Sequence, residues 1–355
     1  MIDYALLKKL CPAAGISGDE SGVRDIIINE IKEYADELRV DNLGNLLVHK
    51  KGRAPAVNKL MLSAHMDEVG FMISHVDEHG YLYFQPVGGF DVKVLCGRKL
   101  FVGDYGKEKI SGLISSKAIH EQSAEERGKA TPINKMYIDI GAASKEDAEK
   151  YVEIGDYAVF DSDFVRFGDG MIKGKAIDDR LGCAVLCDVI NYIHENKITP
   201  DFDLYFCFTV REEVGRSGAV ITANRIQPDM ALVLESTAVA DIAGTPEHKR
   251  VAETGKGPAV SVMDYGTAYL PEMTSFAMEL GKKHGIPCQL KKYVSGGNDA
   301  GHIHKASGGV KTIAVSCPTR YIHSASCVIN EKDYDSMFEL AKRTALCSVS
   351  ETPLK

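Results

Sequence analysis

At 355 residues the chain is longer than one ordinary compact core requires, and it suits two domains or one domain carrying a large insertion. Its 45% apolar residues suffice for a sizeable core, and its 26% charged residues are close to the globular average. Against 42 Lys and Arg stand 50 Asp and Glu; the net charge of −8 leaves no electrostatic footprint for nucleic acid or an anionic membrane.

No apolar run approaches the roughly 20 residues of a transmembrane helix. Met1 to Leu10 carries two lysines with no apolar stretch or small-residue cleavage site behind them, so no signal peptide is expected. Val23, Ile26, Ile27 and Ile31 recur at helical spacing after the polar Ser17–Ser21 region. Gly15, Gly18 and Gly22 do not make a dinucleotide fingerprint, because no strand precedes them. Arg39 to His49 reads as a hairpin turning at Asp41–Gly44, and Lys59 to Ala64 as a short buried strand.

From about Val69 to Val165 the character changes. Glycines become frequent and short alternating runs such as Tyr81–Phe84 are broken by turns, the pattern of a small β-barrel or sandwich. Helical signal there is limited to Ser144–Tyr151, and the polar Glu121–Thr131 stretch is expected to be a long mobile loop. From about Arg166 an α/β rhythm resumes. Asp179–Asn196, Tyr269–His284 and Asp333–Leu346 read as helices; Asp203–Val210, Met230–Leu234 and Thr312–Cys317 read as strands. The economical fold class is α/β: a catalytic domain of residues 1–68 and 166–355, interrupted by a β-rich insertion of 69–165. An insertion of this size has no evident role at the site described next, so association is its expected work.

Nine cysteines, an odd number without a C-x-x-C pair, argue against a zinc ribbon and point to a reducing cytoplasm; Cys183, Cys187, Cys207 and Cys317 lie inside apolar runs.

Polar groups gather at the ends of the expected elements, where open α/β sheets bind ligands. His65 and Asp67 follow the first buried strand, and residues two apart in an extended segment point the same way, so Asp67 can orient His65. Glu212 and Glu213 follow the next strand, Glu235 ends the Met230–Leu234 strand, and His323 lies just after Thr312–Cys317. Asp178 and Asp179 open a helix, where a lone Asp178 would read as an N-cap. Together His65, Asp178, Glu213, Glu235 and His323 offer two imidazoles and three carboxylates, a donor set suited to two zinc-like ions. Gly296–Asp299 reads first as a turn, and Arg320 either faces a substrate or packs its loop. His302 and His304 read as local hydrogen-bonding residues and His248 as surface.

At these residues the sequence resembles the dinuclear metallo-aminopeptidases known as deblocking, glutamyl or TET aminopeptidases. The resemblance covers nearly the whole chain. It rests on Ser63–Gly70 (SAHMDEVG), Ala176–Gly182 (AIDDRLG), Arg211–Gly215 (REEVG), Gly296–Gly301 (GGNDAG) and Pro318–Ser324 (PTRYIHS), in the family's order. It implies a zinc-peptidase-like α/β/α sandwich with an inserted small β-barrel that serves dimerisation. It further implies Asp178 bridging two zinc or cobalt ions, His65 and Glu235 completing one site, Glu213 and His323 the other, and Glu212 as general base. Asp67 would be the partner of His65, and Gly297, Asp299 and Arg320 are the substrate-contact candidates. Dimers would assemble into a hollow tetrahedral dodecamer acting on peptides. Position 235 is Glu where many relatives have Asp, with Asp241 as the alternative ligand, and Asn298 stands where Thr is common. The rival readings are another dinuclear amidohydrolase (a carboxypeptidase or deacylase) and a catalytically silent oligomeric binding protein.

Overall fold

The computed structural model describes residues 4–53 and 58–354; the start of the Met1–Leu10 stretch lies outside them. Two short helices come first, α1 (Ala5–Leu10) and α2 (Ser21–Ile31), the second burying Val23, Ile27 and Ile31 at spacings of four. The hairpin β1 (Glu37–Val40) and β2 (Leu46–Lys50) turns where Asp41 Oδ1 accepts the N–H groups of Leu43, Gly44 and Asn45. The buried strand β3 (Lys59–His65) follows.

The chain then forms β4 (Gly70–Val76), β5 (Leu82–Val87), β6 (Lys99–Val102), β7 (Ile110–Ser115), β8 (Tyr137–Asp139) and β9 (Tyr157–Phe160), which close as a barrel in the order β4-β5-β8-β7-β6-β9. Closure removes exposed strand edges and encloses a core of Phe71, Ile73, Leu100, Ile138 and Phe160, among others. Two one-turn helices lie within this segment, α3 (Ala124–Arg127) and α4 (Lys145–Ala148). The first places one helical turn inside the Glu121–Thr131 stretch, which was expected as a long mobile loop. Ser123 and Glu126 form a capping box, a Ser-x-x-Glu signature that polar composition disguised.

Two short strands, β10 (Val165–Phe167) and β11 (Met171–Gly174), lead back to the α/β part. There follow α5 (Ile177–Glu195), β12 (Asp203–Thr209), α6 (Ser217–Ile226), β13 (Met230–Ala238), β14 (Ala259–Val260), α7 (Pro271–His284), β15 (Gln289–Leu290), α8 (Ala300–Ile303), β16 (Lys311–Thr319), β17 (Cys327–Asn330) and α9 (Glu331–Leu346). Proline at the first position of α7 and Gly285 after it, at a φ of +66°, mark start and stop by opposite means.

The main sheet runs β1-β2-β12-β3-β13-β16-β14-β15, and β17 joins β10 and β11 in a separate three-stranded sheet. At its centre β12, β3, β13 and β16 are parallel neighbours, so their carboxyl ends share one edge. Helix α5 lies on β3 and β13 beside α9, α1 and α2, while α6 and α8 pack together against β12 and β16. Parallel strands covered by helices are buried on both faces, which is why β3 and β13 read as nearly continuous apolar runs. β13 runs to Ala238 rather than stopping at Leu234, pairing with β16 throughout; Glu235 therefore sits inside the strand, opposite Ser316. Its charge made the strand look shorter than it is. Among the described residues no helix is long and apolar enough to cross a membrane.

Candidate metal centre and active site

The shared strand edge gathers the acidic and imidazole groups. His65 is the last residue of β3 and lies opposite Thr209, the last of β12, so the Glu212–Glu213 turn begins beside it. His65 Nε2 is 3.4 Å from Asp178 Oδ1 and 3.7 Å from Glu235 Oε2. His323 Nε2 is 3.3 Å from both Asp178 Oδ2 and Glu213 Oε1. Asp178 thus lies between the two imidazoles, one oxygen toward each. Among the described residues, two groups have donor atoms that all fall within 4.8 Å of one another, His65–Asp178–Glu213 and His65–Asp179–Glu235.

Both imidazoles present Nε2 to the cluster for the same reason. His323 Nδ1 is 3.0 Å from the carbonyl of Gly89, and His65 Nδ1 is 3.1 Å from that of Asp67. A carbonyl oxygen only accepts, so each Nδ1 carries the proton and each Nε2 keeps its lone pair for a cation. On the acid side, Asp178 Oδ1, Glu213 Oε1 and Glu235 Oε1 are buried without hydrogen-bond partners. Buried carboxylates with unpartnered oxygens beside two imidazole lone pairs fit divalent cations in donor type and charge.

The electrostatics agree. Burial alone would lower the His323 pKa, but the Asp178 and Glu213 carboxylates facing its Nε2 overcome it and push it up to about 11. Burial raises the Glu213 and Glu235 carboxyls, opposed by His323 at Glu213 and by His65 at both, with Asp178 adding to the rise at both and Asp179 at Glu235. Burial likewise pushes Glu212 up to about 8, with Asp299 and Glu213 adding to it and His65 and Arg216 opposing it. This is a pocket with surplus negative charge, and a bound cation inverts each of these shifts.

Asp67 does more than face His65. Its Oδ1 accepts the Glu212 N–H at 3.0 Å and lies 3.4 Å from His65 Nδ1; its Oδ2 accepts Ser17 Oγ at 2.5 Å and the Glu213 N–H at 3.1 Å. One buried carboxylate therefore fixes His65 and the Glu212–Glu213 turn together. Adjacent Asp179 is committed to the backbone, its Oδ1 accepting from Gly182 N (3.1 Å) and its Oδ2 from His65 N (3.3 Å). Asp178 and Asp179 have non-helical backbone angles at the start of α5, so the first of these bonds caps the regular helix that begins after Asp179, which leaves the Asp178 carboxylate for the cluster. The Asp178–Asp179 peptide is cis. Gly182 is required here, since a Cβ would stand 2.5 Å from Asp179 Oδ2.

A cavity of about 300 Å³ opens over the cluster, lined by Asp178, Glu212, Glu213, Glu235 and His323 on one side and by Arg216, Lys291 and Gly297 elsewhere. Of the substrate-contact candidates, Gly297 lines it. Asp299 lies buried, accepting Thr209 Oγ1 at 2.6 Å. Arg320 is held by Asp241 in a two-point ion pair of 2.8 and 3.0 Å and lines no part of the cavity. The Asp241 carboxylate, which also accepts from Thr254 N, is occupied there instead of standing by as a ligand. Sequence reasoning passed over Arg216, whose Nε donates to Glu212 Oε1 at 2.6 Å, and Lys291 and Gly89. Arg216 had a signal, an arginine four residues after the acid; Gly89, 234 positions from His323, had none.

A parallel sheet with an inserted closed barrel and a histidine–carboxylate cluster at its strand ends has the frame of a metal-dependent hydrolase. The pattern of the M42 glutamyl aminopeptidase family matches residues 44–340. The lysyl aminopeptidase of Pyrococcus furiosus is 33% identical over 349 residues, covering 96% of both chains. Among solved structures, the TET aminopeptidase of the marine sediment archaeon Thaumarchaeota archaeon SCGC AB-539-E09 superposes with a TM-score of 0.94 at 35% identity, covering 98% of this chain and 97% of its own. The Pyrococcus horikoshii TET1 peptidase, which can assemble into a tetrahedron or a large octahedral shell, does so at 0.85 and 31%, covering 96% and 98%. The chain belongs to the M42 glutamyl aminopeptidase family, a family of hydrolases of the aminopeptidase class.

Proposed function

We propose that this protein removes the N-terminal residue from peptides with two divalent cations, zinc or cobalt, held by His65, Asp178, Glu213, Glu235 and His323. The observation that carries the reading is a cluster of three buried carboxylates, Asp178, Glu213 and Glu235, each with one oxygen that has no hydrogen-bond partner and each within 3.3–3.7 Å of the Nε2 atom of His65 or His323. When bound, such cations acidify a water and polarise the scissile carbonyl. Asp178, with one oxygen toward each imidazole, would be a ligand common to both cations; His65 and Glu235 would hold one of them, and Glu213 and His323 the other. Glu212 is the general base. Its Oε1 is held by Arg216, so Oε2 takes the proton from the attacking water and returns it to the leaving amine nitrogen. Asp67 keeps His65 and Glu212 in register as positioning residue. Gly297 lines the substrate cavity, and Asp299 supports it through Thr209.

The barrel segment 69–165 is the dimerisation domain, and dimers assemble into a closed homo-oligomer. A closed tetrahedral shell of one chain type takes twelve copies, the dodecamer the resemblance implies. Nine free thiols, eight of them at least half-buried, suit a reducing cytoplasm.

Hydrolysis of aminoacyl-p-nitroanilides beside their N-acylated forms, with and without Zn²⁺ or Co²⁺, tests the reading. Metal-dependent cleavage of the free-amine substrates alone is expected. Cleavage of the acylated forms would mark a deacylase, and no cleavage with a full metal complement a silent binding protein.

A further inference from the structure

The guanidinium of Arg216 has more donors than the proposed chemistry uses. Arg216 stands at the start of α6 with a φ of 58°, its backbone N–H donating to Arg211 O at 2.8 Å. The turn that carries Glu212 therefore also fixes the root of this side chain. Its Nε donates to Glu212 Oε1 at 2.6 Å. A guanidinium has five N–H groups, and this bond takes one. Among the described residues the four on Nη1 and Nη2 have no hydrogen-bond partner, and Glu212 is the only acid within 4.0 Å. The side chain is 31% exposed and lines the cavity, and Gly297 comes close to its tip, since a Cβ there would stand 3.4 Å from Nη2. Those four N–H groups hold nothing in the fold and are free for what enters the cavity.

Their place relative to the reaction follows from Glu212. To return a proton to the leaving nitrogen, Glu212 Oε2 comes within hydrogen-bond reach of it, roughly 3 Å. Arg216 grips the other oxygen of the same carboxylate, so it stands beside the residue that leaves. The carboxyl carbon of that residue is two bonds from its nitrogen, about 2.5 Å away. Oxygens on that carbon reach the Nη groups while the nitrogen faces Glu212. We infer that Arg216 binds the first residue beyond the scissile bond, donating from Nη1 and Nη2 to the oxygens on its carboxyl carbon. In a dipeptide this carbon is a free carboxylate, whose two oxygens match the edge of a guanidinium; in a longer peptide one carbonyl oxygen takes the place with a weaker bond. Arg216 thereby gives the protein a preference for dipeptides over equally short substrates with a capped carboxyl end. The inference rests on the aminopeptidase reading above and adds the chemistry recognised on the leaving side.

The test is kcat/KM of the metal-loaded full-length protein on X-Gly, X-Gly-amide and X-p-nitroanilide, X being the residue released fastest from a panel of p-nitroanilides. The first two differ only in the terminal charge. The third has no carboxyl carbon on its leaving group and reads Glu212 alone. The wild type is expected to favour X-Gly over X-Gly-amide by roughly 5- to 10-fold, the difference between a charge-assisted and a neutral hydrogen bond. Arg216→Met is expected to slow all three, because Glu212 loses its partner, and to bring the ratio of the first two down to about one or less. A merely structural Arg216 would slow all three and leave the ratio unchanged. A wild-type ratio of one or less, or a ratio that survives in Arg216→Met, overturns the inference while the aminopeptidase reading stands. Cleavage of none of the three with a full metal complement overturns both. Should Arg216→Met fail to fold, the wild-type ratio still decides, together with Arg216→Lys. That variant keeps a charge beside Glu212 without the two-point edge and is expected to lower the ratio about twofold or more, an unchanged ratio overturning the inference.

Discussion

Replacing Glu68 by Gln tests what holds the two halves of the site in register. Glu68 follows the His65–Asp67 pair, and its carboxylate is buried with Lys175 Nζ at 2.6 and 2.8 Å and Arg180 Nη2 at 3.2 Å. Arg180 also donates to the carbonyls of Leu10 (2.8 Å), Ala13 (3.2 Å) and Gly15 (3.1 Å), so this triad clamps the N-terminal segment, the end of β3 and the start of α5. One anion serves two cations, all three side chains being 3% exposed or less. Glu68→Gln keeps the shape and removes the only negative charge of the three. Breaking a buried ion pair from one side costs about 3–5 kcal/mol, because the remaining charge stays buried and uncompensated. Lys175→Met is the informative contrast: it removes one cation of the surplus pair and leaves Glu68 with Arg180, so its cost is expected below about half that of Glu68→Gln. For a domain of this size each kcal/mol shifts the melting midpoint by about 2–4 °C, which puts Glu68→Gln roughly 6–20 °C below the wild type. Differential scanning calorimetry with the metals removed reads the triad without the contribution of bound ions. A Glu68→Gln midpoint within about 2 °C of wild type, or a Lys175→Met loss as large as that of Glu68→Gln, would refute the account of an over-subscribed anion.

Three further outcomes are expected. Glu212→Gln keeps its metal content and loses roughly 10²- to 10⁴-fold in kcat, since an amide cannot accept the water's proton; near-wild-type turnover removes Glu212 from the mechanism. Asp178→Ala loses metal from both sites by elemental analysis, whereas Asp179→Ala retains metal and loses about 1–2 kcal/mol of stability with its N-cap bond; two retained ions in Asp178→Ala would move the bridge elsewhere. Prolonged chelation is expected to reduce the assembly to dimers or smaller species, reversibly with Zn²⁺ or Co²⁺, because ligands that bind only the native state stabilise it. Light scattering coupled to gel filtration checks this, and a large species that persists after verified metal removal contradicts it.

Much of the fold was legible because its signals are local. The α5 stripe Leu181, Val185, Val189 and Ile193 and the apolar runs of β3 and β12 announce themselves by period and composition. The ligand candidates were legible for a related reason: strands end where the polar residue appears, and sites lie at those ends. That rule also misled at Glu235, where the polar residue is inside a strand and only the partner strand β16 shows it. Asp178 and Asp179 could not be told apart by type or position; the hydrogen bond from Gly182 N separates them. Lys291, a lysine in a polar stretch, carries no mark of burial in the sequence. Its enclosure comes from loops that meet only in the folded chain.

The barrel was expected to have no role at the site, and its contacts with His323 argue otherwise. Gly89, whose carbonyl takes His323 Nδ1, precedes Phe90, and that ring stacks on Phe71 at 4.9 Å and packs edge-on against Phe160 at 5.8 Å inside the barrel. Two residues beyond His323, Ala325 is buried in the same apolar cluster. His323 itself has a φ of 56° and nearby Tyr321 one of 59°, conformations unfavourable for residues with side chains. Such a loop holds its shape only where surrounding structure over-determines it, and here the barrel core does so from both sides of the imidazole. The tautomer and aim of His323 are therefore set by packing 69–165 against the α/β part, while those of His65 are set within the α/β part by Asp67. The two proposed metal sites differ in what builds them. Any motion or association that shifts the barrel acts first on the site of Glu213 and His323, and reaches the site of His65 and Glu235 through the shared Asp178.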